Sequence, residues 1–277
     1  MKIAVTGSRG FVGAHVAQAA EAAGHEIIHF DRRDGNDILG DLGALEGAEA
    51  VIHLAGVLGT MELFGDIELA IHTNVLGTYR IAEWCSNNDA QLTLVNVPFV
   101  FPSIYCATKR GAYEICVAMN RAGMLKMSSV TVFNAFGSGQ HTGDWSRKAP
   151  RKFVPTFSVA AWQGKPLPIW GDGNNLIDPI HTSEVARIFV EATQFNDGQV
   201  FDAGCGIELT VNEVAHFINQ HTGNEAGIAY EPMRIGETPT NVAAEGRGWD
   251  LLTRPPTFSW QQLADTVDWY KGKTVVV

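Results

Sequence analysis

The stretch Thr-Gly-Ser-Arg-Gly-Phe-Val-Gly over residues 6–13 constrains the fold more than any other part of the chain. It follows an apolar segment, residues 2–6, that is typical of a buried strand, and it opens residues 11–23, which have helical spacing. Glycine recurs at every third position of this stretch. Gly7 suits a tight turn, Gly10 lets a pyrophosphate approach the backbone, and Gly13 allows the helix to pack closely on the strand. The pattern predicts a dinucleotide site, with further contacts from Arg9, Phe11 and Val12.

The choice of dinucleotide depends on the end of the next strand, residues 26–30. Asp31 follows it, about 20 residues after the glycines, where a carboxylate can accept hydrogen bonds from the ribose hydroxyls of NAD. A carboxylate there repels the 2′-phosphate of NADP. Arg9, Arg32 and Arg33 lie nearby and would suit that phosphate. The sequence favours NAD, with NADP as the less favoured alternative.

Strand patterns alternate with helix patterns through the first half of the chain. Further strands are predicted at residues 50–55, 91–97 and 127–133, and helices at 66–86 and 103–122. Such alternation is typical of an α/β fold with a doubly wound parallel sheet of the Rossmann type, the helices covering both faces.

The pattern changes after about residue 137, where Gly, Pro and Trp become frequent. We interpret residues 1–137 as the NAD(P)-binding Rossmann domain, rejoined by about 175–205. A smaller C-terminal α/β substrate-binding domain would comprise 138–174 and 206–277, with helices at 210–221 and 260–271.

Charge and composition narrow the possible partners. The formal net charge of −10 argues against nucleic acid or an anionic membrane as a partner. No apolar run is long enough for a membrane helix, and no signal peptide is apparent. The four cysteines form no CxxC pair and the histidines show no HExxH spacing, so we expect free thiols, a cytoplasmic protein and no metal.

A second motif places Tyr105 and Lys109 four residues apart near the start of a predicted helix, hence on one face. A free phenol, with a pKa near 10, is a poor base at neutral pH. A neighbouring ammonium and a cationic nicotinamide ring stabilise the phenolate. The pair therefore predicts proton exchange with a substrate hydroxyl during hydride transfer.

These motifs resemble the extended short-chain dehydrogenase/reductases, specifically the NAD-dependent epimerase/dehydratase family that acts on nucleotide sugars. The resemblance runs through nearly the whole chain. Besides the glycine turn and the Tyr–Lys pair it rests on six segments: Gly40-Asp41-Leu42, His53-Leu54-Ala55-Gly56, Asn74-Val75-Leu76-Gly77-Thr78, the Asn134–Gln140 run NAFGSGQ, the Pro166–Gly173 run PLPIWGDG, and the Leu263–Tyr270 run LADTVDWY.

The resemblance implies roles for particular residues. It adds to the cofactor site Asp41, Leu42, Leu54, Ala55, Gly56 and Asn74, together with Tyr105 and Lys109. It places at the substrate Asn134, Thr60, Trp170 and Arg234. The helices at 66–86 and 103–122 resemble the family's dimer bundle, so a homodimer is expected.

Three departures from the family pattern bear on the chemistry. The Ser/Thr that the family usually carries just after the strand at 91–97 is missing. Either Ser103 or Thr93 replaces it, or no residue does. No acidic residue lies between Val95 and Tyr105, which argues against dehydration. Ile177 stands where the family often has an arginine that clamps the diphosphate, so Lys152, Arg234 or Arg247 would have to supply charge.

The resemblance favours an NAD-dependent epimerase acting on a nucleotide sugar, such as a UDP-sugar 4-epimerase. Tyr105, Lys109 and Ser103 are the expected catalytic residues. Two alternatives stay open. One is an NAD(P)-dependent reductase or dehydrogenase of a sugar or other carbonyl. The other is an NAD-binding sensor or scaffold with impaired catalysis.

Overall fold

The structure is a computed structural model that describes residues 1–59, 62–98, 103–142, 152–233 and 243–273. At its centre is a six-stranded parallel sheet with the order β10-β5-β4-β3-β1-β2. Its strands are β1 (Lys2–Thr6), β2 (Glu26–Phe30), β3 (Ala50–His53), β4 (Gln91–Asn96), β5 (Met127–Val132) and β10 (Asp197–Ala203).

Helices cover both faces of this sheet, because side chains of successive strand residues point to opposite sides. On one face, Val5 and Ile52 pack in a core with α1 (Phe11–Ala22) and α6 (Thr182–Ala192). On the other face, Ala4 and Leu92 pack in a core with α3 (Gly77–Asn87) and α4 (Ile104–Arg121). This arrangement confirms the predicted doubly wound parallel sheet.

The predicted helix over 66–86 consists of three pieces. A short α-helix, α2 (Ile67–Ala70), leads into a π-helical segment, Ile71–Leu76, which continues as α3. At the junction, a Cβ on Gly77 would lie 2.5 Å from Cδ1 of Ile38, so the helix approaches the segment after β2 more closely than a larger residue permits. Asn74, inside the π segment, is fully buried.

The remaining elements form a smaller assembly with its own core. Two-stranded pairs form between β6 (Asn134–Phe136) and β9 (Pro179–His181), between β7 (Leu167–Trp170) and β12 (Ile228–Glu231), and between β8 (Leu176–Ile177) and β11 (Leu209–Thr210). Three helices pack around a cluster that includes Phe157, Ile218 and Val267: α5 (Phe153–Trp162), α7 (Val211–Thr222) and α8 (Trp260–Trp269).

The predicted element boundaries agree with the structure to within about two residues for the strands and helices named from the sequence, apart from the π segment. The sequence patterns did not predict α5, α6 or β10, the sixth strand of the central sheet. Of the short strands in the smaller assembly, only β7 was indicated, by the resemblance of the PLPIWGDG run. In the described ranges, no helix is long and apolar enough to cross a bilayer, and no cluster of His, Cys, Asp and Glu has the form of a metal site.

Candidate active site

The turn between β1 and α1 leaves no room for side chains at two of its glycines. Gly7 has a φ of +71°, and a Cβ there would lie 2.9 Å from the backbone nitrogen of Ala55. A Cβ on Gly13 would lie 2.1 Å from the carbonyl oxygen of Gly7. Gly10 caps α1 without a side-chain hydrogen bond, so the first N–H groups and the positive end of the helix dipole face the turn. This cradle fits a pyrophosphate.

Asp31 directly follows β2, and two backbone groups fix its carboxylate. Oδ2 accepts from the backbone N–H of Arg9 at 3.0 Å, and Oδ1 accepts from that of Arg33 at 2.9 Å. The two arginine side chains have partners of their own. Nε of Arg9 lies 2.8 Å from Oδ2 of Asp34, and Nη1 of Arg33 donates to the carbonyl of Arg9 at 2.7 Å. Asp31 is thus held between two arginine backbones at the edge of the predicted ribose site.

Arg32 lies apart from this cluster. Its side chain is exposed, and its Nε is 3.4 Å from Oδ2 of Asp37. Asp41, farther along the same connection, accepts the N–H of Gly43 at 3.0 Å. Leu42 is partly buried against the core that contains α3.

A hydrogen-bond network that the sequence reasoning did not identify joins the turn after β3 to the glycine turn. Oγ1 of Thr6 accepts from the N–H groups of Leu54 and Ala55 at 3.1 and 3.2 Å, and lies 2.7 Å from Nδ1 of His53. Since both lone pairs of this hydroxyl are used, its proton goes to Nδ1, and His53 carries its own proton on Nε2. That nitrogen lies 3.0 Å from Oγ1 of Thr78. The sequence contains one indication of this network, since His53 lies in the HLAG segment and Thr78 in the NVLGT segment.

Asn74 clamps the same turn to α4. Its Oδ1 accepts from the N–H of Val57 and its Nδ2 donates to the carbonyl of Val57, both at 2.9 Å. Nδ2 also donates to Oγ1 of Thr108 at 3.1 Å. A Cβ on Gly56 would lie 2.9 Å from Oδ1 of Asn74, so glycine permits this contact. The structure therefore gives Asn74 a positioning role beside its predicted place at the cofactor.

Tyr105 and Lys109 lie one turn apart on α4, and Lys109 is only 4% exposed. Burial lowers the pKa of Lys109 to about 8 and raises the pKa of Tyr105 above its ordinary value. Burial, with a smaller contribution from the Lys109 charge, lowers the pKa of His53 to about 3, so this histidine is neutral. Within the described part of the chain, Lys109 has no hydrogen-bond or ion-pair partner. The site therefore contains a buried cation available to a ligand or a phenolate.

The two hydroxyls considered as replacements for the missing Ser/Thr lie on different sides of the sheet. Ser103 caps α4, its Oγ accepting from the N–H of Cys106 at 3.2 Å, so it belongs to the helix that carries Tyr105. Thr93 is buried inside β4 and contacts Ser128, whose hydroxyl bonds to the last turn of α6. Of the two, only Ser103 lies on the side of α4.

On the predicted substrate side, Asn134 starts β6 and its Oδ1 accepts from the N–H of Asp178 at 3.1 Å. Trp170 ends β7, next to a groove of about 390 Å³ lined in part by Asp172 and Glu231. The two other predicted substrate contacts, Thr60 and Arg234, lie outside the described residues.

Two buried carboxylates organise this side of the molecule. Asp178, next to Ile177, accepts from the N–H groups of Cys205, Gly206 and Ala244 at 2.8, 2.9 and 2.9 Å. Arg247, one of the cations considered for the diphosphate, is already paired with the fully buried Asp202, with Nη2 2.7 Å from Oδ1. Its charge is therefore neutralised within the protein.

Comparison with known families decides the membership of the chain. The model of the NAD dependent epimerase/dehydratase family matches residues 3–103 and 93–204, well over half of the sequence. The chain belongs to this family. Membership confirms the resemblance seen in the motifs, and it confirms NAD as the cofactor, which agrees with Asp31 at the end of β2.

The relatives of this chain differ in the reactions that their names describe. A trifunctional UDP-glucose 4,6-dehydratase, 3,5-epimerase and reductase of Arabidopsis thaliana is 24% identical over 97% of this chain, which spans only 47% of that protein. A UDP-glucose 4-epimerase of Mycolicibacterium smegmatis is 23% identical over 99% of this chain and 100% of its own length. The structure of a UDP-glucuronic acid 4-epimerase from Bacillus cereus, solved with UDP-glucuronic acid and NAD, superposes with a TM-score of 0.86 at 20% identity, over 98% of this chain and 99% of the other.

Proposed function

We propose that this family member is an NAD-dependent epimerase of a nucleotide sugar, such as a UDP-sugar 4-epimerase. The observation that carries the proposal is the Tyr105–Lys109 pair, one turn apart on α4 with Lys109 buried, in a chain whose glycine turn fits a pyrophosphate. The named relatives include 4-epimerases of UDP-sugars.

The chain offers a set of groups that suit NAD. The turn Gly7–Gly13 and the start of α1 would hold the pyrophosphate, and Asp31 would accept the ribose hydroxyls. The turn Leu54–Gly56, fixed by Thr6 and Asn74, would line the nicotinamide side. Bound NAD would supply the acceptor and donor of the hydride, with no net consumption.

Tyr105 would take the proton of the sugar hydroxyl and later return it. Burial opposes the phenolate, since it raises the pKa of Tyr105, so a nearby positive charge is required. Lys109 lies one turn away on α4, and its pKa of about 8 keeps most of it protonated at neutral pH. Ser103 would donate a further hydrogen bond to the sugar oxygen.

One sequence feature supports epimerisation over dehydration. The segment between Val95 and Tyr105 has no acidic residue to move a proton. The diphosphate site differs from the family pattern, because Ile177 stands where an arginine is often found and an apolar side chain supplies no positive charge. We propose that the smaller assembly, with Asn134 and Trp170, holds the nucleotide sugar, and that Thr60 and Arg234 contribute to it.

The test has two parts. Mass spectrometry of the native protein and of the supernatant after denaturation identifies the bound cofactor, and NMR follows UDP-, GDP- and dTDP-sugars incubated with the protein. We expect bound NAD and a slowly equilibrating pair of epimers, lost in Tyr105→Phe without loss of NAD. A steady change in NAD(P)H absorbance with a sugar or carbonyl substrate would instead identify a reductase or dehydrogenase. Bound NAD with every sugar unchanged would leave a sensor or scaffold.

We also propose a homodimer formed through α2, the π segment, α3 and α4. These neighbouring helices present the exposed apolar side chains Ile67, Ile71, Tyr79 and Ile115, a pattern found at interaction surfaces. Light scattering after size exclusion should give a dimer for the natural chain and a monomer for Ile115→Glu. Leu251→Glu, at an exposed position elsewhere, should stay dimeric.

A cytoplasmic location completes the proposal. All four cysteines are unpaired thiols: Cys85, Cys106, Cys116 and Cys205. Free thiols at three buried positions suit a reducing compartment.

A further inference from the structure

The ion pair between Arg9 and Asp34 lies directly beside the predicted ribose site. Asp31, the ribose carboxylate, is bonded to the backbone of Arg9 on one oxygen and to the backbone of Arg33 on the other. A ribose held by Asp31 is therefore flanked by both arginines. Nε of Arg9 donates a hydrogen bond to Oδ2 of Asp34 at 2.8 Å. This edge of the guanidinium group is therefore not available to an anion.

Next to this pair is a groove of about 460 Å³, whose lining includes Ser8, Arg9, Arg33 and Asp34. Glu21 also lines it, with Oε1 3.7 Å from Nε2 of His29. Ser8 is 1% exposed, and its hydroxyl has no hydrogen-bond partner among the described residues. A buried hydroxyl without a partner is uncommon in native proteins and suggests that a ligand or water completes it. Two guanidinium groups and a hydroxyl donor are the chemistry that binds a phosphate.

The ion pair contributes little to holding the fold together. Both side chains are partly open to solvent, 46% exposed for Arg9 and 32% for Asp34. Exposed pairs of this kind are weak and are screened by salt. The position of the ion pair beside Asp31 is therefore better explained by selection of the nucleotide that binds there than by stabilisation of the fold.

We propose that Asp34 is a determinant of specificity for NAD over NADP. Its carboxylate holds Arg9 and adds a negative charge to the groove, so the groove rejects the 2′-phosphate of NADP. When a substitution removes the charge of Asp34, the 2′-phosphate binds to Arg9, Arg33 and the Ser8 hydroxyl. Asp31 still favours NAD in such a variant, because its own charge remains. The proposal concerns nucleotide binding alone and does not depend on the sugar reaction.

The experiment measures equilibrium binding of NADH and NADPH by fluorescence titration to protein freed of nucleotide, with 2′,5′-ADP and 5′-AMP as probes that differ by the 2′-phosphate. Asp34→Asn should bind NADPH and 2′,5′-ADP about tenfold or more tightly than the natural chain does, because charge-assisted hydrogen bonds form to the phosphate. NADH and 5′-AMP should stay within about threefold. The gain should shrink at high salt.

Two further variants separate this effect from a general change of charge. Asp37→Asn removes the same charge from the pair with Arg32 nearby, and should leave both nucleotides unchanged. Arg9→Gln combined with Asp34→Asn should lose the gain. Equal NADPH affinity in Asp34→Asn and the natural chain would overturn the proposal, as would an equal gain in Asp37→Asn. If Asp34→Asn melts early, Asp34→Ser provides the same test.

Discussion

At the scale of single residues, Gly13 decides whether α1 can approach the cofactor turn. We predict that Gly13→Ala lowers stability by about 1–3 kcal/mol, because the new Cβ would lie 2.1 Å from the Gly7 carbonyl oxygen and the turn would have to move. The higher helix propensity of alanine offsets only about 1 kcal/mol of this. NAD affinity should fall as the turn shifts. Thermal melts and NADH titration measure both effects.

Gly111→Ala is the matched control, since this helical glycine of α4 has open space where a Cβ would be. It should keep NAD affinity and be as stable as the natural chain, or more so by up to about 1 kcal/mol. Equal behaviour of the two alanine variants would contradict the packing role of Gly13.

Burial of Lys109 lowers the stability of the folded chain at neutral pH. The pKa of Lys109 falls from 10.5 to about 8 through burial, so between these pH values the unfolded chain keeps a proton that the folded chain has released. The stability of the nucleotide-free protein therefore rises with pH across that window, and the full penalty applies below pH 8. We predict that Lys109→Met is more stable than the natural chain at pH 7, by at most about 3 kcal/mol, and that the difference fades towards pH 10.5.

Urea unfolding at pH 7 and pH 10.5 checks this, and other titrating groups cancel in the comparison. Lys126→Met is the control, because Lys126 is half exposed and paired with Asp89 at 2.6 Å. It should change stability by less than about 1 kcal/mol at pH 7. A Lys109→Met protein that is less stable at pH 7 would show that the ammonium has a stabilising partner.

At the scale of elements, the π segment Ile71–Leu76 joins the turn after β3 to α4 through Asn74. We predict that Asn74→Ala lowers stability by about 1–3 kcal/mol, because it leaves the N–H and carbonyl of Val57 without partners. NAD affinity and turnover should fall with it. Asn88→Ala, at the exposed end of α3 where the side chain bonds only to Trp84, should have a much smaller effect. Unchanged NADH binding in Asn74→Ala would exclude a positioning role.

The helices and strands that were predicted correctly differ from the missed features in how far apart in the chain their determining residues lie. Local signals sufficed for β1, α1 and β2, since the glycine turn and the apolar runs are contiguous in the chain. The π segment was not predicted, because the contacts around it join residues far apart in the chain, such as Gly77 and Ile38. The hydrogen bonds among Thr6, His53 and Thr78 were not predicted for the same reason. None of the three residues indicates such a network by its local sequence, and only the folded sheet brings them together.

At the scale of the whole molecule, buried carboxylates tie the late part of the chain to the central sheet. Such contacts join residues far apart in sequence, so no local pattern predicts them. The side chain of Arg254 donates hydrogen bonds to the buried Glu184 of α6. The carboxylate of Asp202 in β10 accepts hydrogen bonds from the backbone N–H and from the side-chain Nε of Arg247. The segment before α8 is therefore linked to the central sheet and to α6 through charge-assisted hydrogen bonds as well as apolar packing.

Asp178, between β8 and β9, is a third buried carboxylate that bonds to the late part of the chain. Its carboxylate accepts N–H groups from the loop after β10 and from Ala244, while its own N–H is held by Asn134. We predict that Asp178→Asn lowers stability by about 1–3 kcal/mol, because an amide nitrogen then faces N–H donors. Asp197→Asn, at the exposed start of β10, should be neutral within about 0.5 kcal/mol. Urea unfolding measures both variants, and equal midpoints would mean that the loop is held without the Asp178 carboxylate.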